Sequence, residues 1–242
     1  MRRVSTVFGE LKCQVLDGGE EGQAPALGVV LCHGFGAPAE DLVSLAPELS
    51  HLHPVLGTRV RYCFPGAPLS LADQGSPTGR AWWPLAADVL MGRKRDWARY
   101  SESLPEGLAP SRRMLGAAVE SFARASGLPL GRIVLGGFSQ GAMLATDLAL
   151  RLEEPPAGLA ILSGSLLAKA EWTKRAPQRA GLPVFQSHGR GDGVLPFSLA
   201  EQLRDLLTTA GLKVKFAPFG GQHAIPPETL TGLASFLRER LG

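Results

Sequence analysis

The sequence predicts an α/β fold with a mostly parallel central sheet and helices on both faces. Three observations carry that prediction. Short apolar runs alternate with helical patterns along all 242 residues, the runs end in Gly-rich turns, and neither a polar linker nor an internal repeat breaks the rhythm. Strand, helix, strand at this spacing demands crossover connections, and those produce parallel strands covered by helices. A single domain over 1–242 is expected.

The strands come first. Residues 27–32, Leu-Gly-Val-Val-Leu-Cys, form a continuous apolar run, as expected of a strand buried on both faces. Comparable runs occupy 59–64, 132–136, 159–163, 183–188 and 213–218. Helical spacing is clearest over 111–125, 140–153, 198–210 and 226–240. Leu199, Leu203, Leu206 and Leu207 make the stripe of a helix packed on a sheet. The exception is the stretch 66–110, which has no convincing strand but carries Trp82, Trp83, Trp97 and Tyr100. That aromatic content argues for an ordered connection.

Composition narrows the function classes. With 45% hydrophobic and 19% charged residues the chain can offset its folding entropy, which excludes disorder. The net charge of +3 is small and the basic residues are scattered, so a nucleic-acid partner is not expected. Arg93-Lys94-Arg95 is the one dense basic cluster and reads as a solvated face. No apolar run reaches the roughly 18–20 residues that span a bilayer, and no h-region follows Arg2 and Arg3. Cys13, Cys32 and Cys63 are an odd number without CxxC spacing, which fits neither a disulfide framework nor a zinc site. A cytoplasmic protein without stable membrane insertion follows as the expectation.

In open parallel sheets ligands bind beyond the carboxyl ends of the strands, so the residues just after each run matter most. After 132–136 comes Gly137-Phe138-Ser139-Gln140-Gly141, a G-x-S-x-G match that opens a helix. A strand turning sharply into a helix strains its central residue and crowds the backbone, so small neighbours are required. Ser139 is the candidate nucleophile. It needs a base and a group to orient that base. Of five histidines, His51 and His53 flank Pro54 in a connection, while His33 and His188 each end a strand before a glycine and read as loop-pinning residues. His223 lies on the Gly-rich loop after the last strand, well placed to reach a serine. Asp192, in the loop after 183–188, completes the set; Asp147 and Asp205 lie inside helices and are poorer candidates. Each residue alone has a bland reading: a turn aspartate, an exposed histidine. Ser139, Asp192 and His223 in that order, after three different strands, form the order of the Ser…Asp…His triad architecture. Two backbone N–H groups should serve the oxyanion: that of Gln140, after the nucleophile, and that of Phe35 in His33-Gly-Phe-Gly36.

A rival occupies the same early loop. Residues 34–39 also fit G-x-G-x-x-A, a dinucleotide fingerprint, with Arg59 and Arg61 available for a 2′-phosphate. It leaves Ser139, Asp192 and His223 unexplained and puts Pro38 in the phosphate turn. A hydrolase-shaped binding protein without turnover is the other alternative, disfavoured by the complete triad set.

The segments 29–36, 133–142, 160–164, 188–196 and 220–226 together resemble the phospholipase/carboxylesterase family, which includes acyl-protein thioesterases, within the α/β-hydrolases. The resemblance implies Ser139 as nucleophile, His223 as base, Asp192 as orienter, and Phe35 and Gln140 N–H groups as oxyanion hole. It implies no cofactor and no metal, and small acyl substrates: short- to medium-chain carboxylic esters, lysophospholipids or acyl-thioesters. Trp82 is suggested as a wall of the acyl pocket. Relatives carry W-[FY]-D where this chain has Trp82-Trp83-Pro84, followed by a longer stretch to Pro110. The extra residues are expected to form a partial lid facing the acyl chain. The sequence leaves the oligomeric state open.

Overall fold

The computed structural model describes residues 1–19, 23–85 and 96–242. Its centre is an eight-stranded sheet in the order β1-β2-β4-β3-β7-β8-β9-β10. The strands are β1 (Arg2–Phe8), β2 (Leu11–Asp17), β3 (Leu27–Cys32), β4 (Val60–Pro65), β7 (Ile133–Phe138), β8 (Gly158–Leu162), β9 (Pro183–Gly189) and β10 (Lys213–Phe219). The runs read from sequence are β3, β4 and β7 to β10, and all six are mutually parallel. Strands β1 and β2 form an antiparallel ribbon on the edge of β4, an addition the apolar runs did not reveal. The two-residue strands β5 (Leu69–Ser70) and β6 (Arg80–Ala81) pair in a small separate ribbon inside the long connection.

Helices cover both faces. On one lie α1 (Leu45–Leu52), α2 (Pro54–Arg59) and α8 (Pro227–Leu241), which join Leu45, Leu49, Leu56, Leu233 and Leu237 to the sheet through Val29, Leu31 and Phe185. On the other lie α4 (Leu108–Ser126), α5 (Gln140–Ala149), α6 (Lys169–Arg175) and α7 (Phe197–Thr209), around Val119, Phe122, Leu144, Trp172 and Leu203. Every residue of α5 is buried, as for a helix that packs on all sides. The short α3 (Trp97–Glu102) belongs to the long connection. Its Tyr100 hydroxyl approaches Met143 Sδ on α5 at 3.4 Å, so this part of the connection is fastened to the helix behind Ser139. The remainder of the expected lid, with Arg93, Lys94 and Arg95, lies at 86–95, outside the described residues.

Chain order reverses at β3: β4 adds on one side of it and β7 on the other. Such a switch point opens a crevice at the carboxyl edge. The loops after β3 and β7 meet there, and they are the loops that carry Phe35 and Ser139.

Candidate active site

The serine stands on a strained turn. Ser139 adopts φ 54°, ψ −118°, between the end of β7 and the first residue of α5. A non-glycine residue with positive φ away from the left-handed helical well is costly, and such strain concentrates at functional sites. The flanking glycines are required by close approach. A Cβ on Gly137 or Gly141 would strike the Cys32 carbonyl at the end of β3, and one on Gly141 would also sit 2.5 Å from His33 O. The turn is anchored by the Ser139 N–H, which donates to Leu162 O at 2.9 Å, and by its carbonyl, which accepts the Ala142 N–H at 3.0 Å to start the helix. The Ser139 hydroxyl makes no hydrogen bond among the described residues; catalytic contacts often tighten only with substrate.

His223 and Asp192 are paired. His223 Nδ1 lies 2.6 Å from Asp192 Oδ2, and the His223 ring packs against Phe138, the residue before Ser139, with centroids 4.7 Å apart. Asp192 is held on every side: Oδ1 accepts the N–H groups of Val194 and Leu195, both at 2.8 Å. Oδ2 also meets His188 Nε2 at 3.2 Å. Burial opposes ionisation of this carboxyl, but the hydrogen bonds from His188, His223 and Leu195 outweigh it and hold the group well below the usual carboxylate range. Asp192 is therefore an anion that only accepts hydrogen bonds, so the facing nitrogens of both imidazoles carry protons. His223 thus has Nε2 free to accept a proton, the tautomer a general base needs.

His188 was read as a loop-pinning residue, and the structure places it so. Its Nε2 also donates to Leu195 O at 2.9 Å, and its ring is fully buried, with Nδ1 unpartnered. His33 pins the other loop. Its Nε2 accepts the Ala67 N–H at 3.0 Å, which leaves Nδ1–H to donate to Gly34 O at 2.8 Å. Burial lowers its pKa and favours this neutral form.

The loop after β3 is clamped further by groups the sequence did not single out. Gly36 N–H donates to Arg80 O at 2.9 Å, and Arg80 N–H donates to Ala37 O at 3.1 Å. The Arg80 guanidinium reaches Ala67 O and, at 3.0 Å, Pro68 O. Gln140 adds a second role to its backbone N–H: its side chain accepts from Trp82 N–H and donates to Trp83 O, each at 2.9 Å. Trp82 itself is fully buried, with its indole N–H given to His33 O at 2.9 Å. Its ring packs beside that of His33, with centroids 5.6 Å apart, so the indole is enclosed at the loop after β3 with its one polar atom already used.

The dinucleotide reading finds no support at the same loop. The turn after Gly34 does not open a helix, since α1 begins only at Leu45, so the dipole that would hold a pyrophosphate is missing there. Arg61 lies near the amino end of β4, bound to Asp17 at 2.6 Å, away from the carboxyl edge. Among the described residues, no group of three His, Cys, Asp or Glu side chains could hold a metal ion, and all three cysteines are buried and free.

A parallel sheet of this order with a strained serine turn at its switch point defines an α/β-hydrolase. The chain belongs to the phospholipase/carboxylesterase family, whose model matches residues 20–241. It is similar to acyl-protein thioesterase 1 of Eremothecium gossypii, 31% identical over 219 residues that cover 88% of this chain and 87% of the relative. Acyl-protein thioesterase 1 of Neurospora crassa is 37% identical over 120 residues, a match that spans about half of either chain, 48% and 49%. Among solved structures, esterase PE8 superposes with a TM-score of 0.78 at 28% identity and covers 99% of both chains.

Proposed function

We propose that this family member hydrolyses small acyl esters by two-step acyl transfer from Ser139, with His223 as general base and Asp192 as its orienter. The observation that carries the reading is the 2.6 Å contact of His223 Nδ1 with an ionised, fully enclosed Asp192, beside the strained serine turn. Ser139 Oγ attacks the acyl carbonyl while His223 Nε2 takes its proton. The oxyanion forms against the N–H groups of Phe35 and Gln140; loss of one such donor costs about 3–4 kcal/mol in the transition state. His223 then protonates the leaving oxygen, and water repeats the sequence on the acyl-enzyme. Asp192 stays ionised throughout and stabilises the imidazolium.

Short- to medium-chain carboxylic esters are the substrates assigned on this reading. A second reading, acyl-thioesters, is favoured by the names of the relatives, which are thioesterases over most of their length. No helix among the described residues is long and apolar enough to cross a membrane. A kinetic panel of p-nitrophenyl esters from acetate to laurate, run beside acyl-thioesters, tests the assignment. Turnover of the shorter esters that Ser139→Ala abolishes is expected; equal turnover by that variant, or none by the folded protein, overturns it.

A further inference from the structure

Strand β8 lies between the strand that leads to Ser139 and the strand that leads to Asp192, and its end touches the Ser139 turn, strand β9 and the His223 loop. Leu162 O accepts the Ser139 N–H at 2.9 Å. The next residue, Ser163, donates its N–H to Ser187 O at 2.9 Å, one residue before His188. The Ser163 hydroxyl donates to Ala224 O at 3.1 Å, one peptide beyond His223. Ser163 is fully buried and sits at φ 49°. A serine in the left-handed region is less stable there than glycine, and such a conformation persists only where the surroundings over-determine it. Gly164 follows immediately, so the chain has a glycine at hand and still places a hydroxyl-bearing residue at the strained position.

We propose that Ser163 is a positioning residue for the base: its hydroxyl fixes the Ala224 carbonyl and so sets His223 relative to Ser139, whose own backbone hangs from Leu162. The inference rests on the triad reading above. The distance logic is direct. The Ser139 N–H and the Ala224 carbonyl each bond one residue of the Leu162–Ser163 dipeptide, so this dipeptide adds a short link between the two loops beside the His223 contacts with Asp192 and Phe138. Misplacement of a catalytic group by about 1 Å can cost 10²-fold in rate, while substrate binding remote from the base is unaffected.

The test is a double-mutant cycle in the full chain with p-nitrophenyl butyrate, using Ser163→Ala, His223→Ala and the pair. Ser163→Ala should lower kcat by about 10-fold or more with KM changed by less than about twofold. On the low residual turnover of His223→Ala, Ser163→Ala should have no further effect. Ser163→Gly, which accepts φ 49° without strain, guards against a folding defect and should lose kcat equally while unfolding at no lower temperature than wild type. An equal fractional loss in both backgrounds, or unchanged kcat in Ser163→Gly, overturns the positioning role and leaves the triad reading intact. Wild-type turnover in His223→Ala overturns both.

Discussion

His188 Nε2 lies 3.2 Å from Oδ2 of Asp192, the oxygen that also receives His223 Nδ1 at 2.6 Å. Two imidazoles therefore share one acceptor, and only His223 adjoins the serine turn. Asp192 has its carboxyl pKa lowered, so its stabilisation is complete above the ordinary carboxylate range, about pH 4, and is lost as pH falls towards the lowered native value.

His188→Met removes one donor and should return the Asp192 pKa part of the way towards normal. A hydrogen bond to a charged group is worth about 1.5–3 kcal/mol, so the variant should be less stable by that order at pH 7. The gap should stay constant down to the variant's own native carboxyl value and narrow only below it, because Asp192 remains ionised in the folded wild type well under the ordinary carboxylate range. Urea unfolding followed from pH 7 down through the acid range measures this; a gap that never narrows in acid would show that Asp192 is not the group affected.

The strained conformation of Ser139 separates stability from activity. Ser139→Ala and Ser139→Gly should both lose nearly all turnover. Glycine relieves a strain of roughly 1–3 kcal/mol against its own entropic cost of about 0.5–1 kcal/mol. The glycine variant should therefore be the more stable of the two by about 1 kcal/mol. Parallel denaturant titrations read the difference, and an alanine variant as stable as the glycine one would argue against stored strain at this turn.

Gly141 is closed to any side chain, because its Cβ would strike backbone of Cys32 and His33. These are strand and loop atoms that cannot swing aside. Gly141→Ala should destabilise the protein by about 1–3 kcal/mol and reduce kcat by forcing the oxyanion loop away from the helix start. Unfolding and ester kinetics on the same preparation decide it; wild-type kcat with a wild-type melting curve would contradict the packing described.

Asp147 lies towards the end of α5 remote from Ser139. Its fully buried carboxylate accepts from Arg112 at 2.7 Å, Arg151 at 3.2 Å and Trp172 Nε1 at 2.9 Å, and so binds α4 and α6 to α5. Asp147→Ala leaves the Arg112 guanidinium and the Trp172 indole N–H without this acceptor, with Arg151 retaining Glu171, and should cost about 3–5 kcal/mol. In the remaining folded fraction KM and kcat should stay within about twofold of wild type, since no triad contact passes through this residue. A selective loss of kcat would assign it a catalytic influence instead.

Much of the architecture was legible because its signals are local. The central strands are buried on both faces, so β3, β7 and β8 appear as unbroken apolar runs. The serine turn declares itself through glycines that packing demands. Strand β1 escaped notice for the converse reason: its residues are exposed at most positions, so neither run nor alternation marks it. The full burial of Trp82 was not legible because sequence does not record depth; an aromatic beside such a loop can face a pocket or pack into the core. Ser163 lies in the matching segment 160–164, but its contact, like those of Arg80, was not legible: the partners are backbone carbonyls elsewhere in the chain, and such contacts leave no residue pattern.

Reaction of the folded protein with a fluorophosphonate, followed by peptide mass spectrometry, tests the central claim most directly. The account expects a single stoichiometric adduct on Ser139, slowed strongly in His223→Ala and absent in Ser139→Ala. A folded protein that never labels, or one that labels at another residue at the same rate in all three forms, would contradict it.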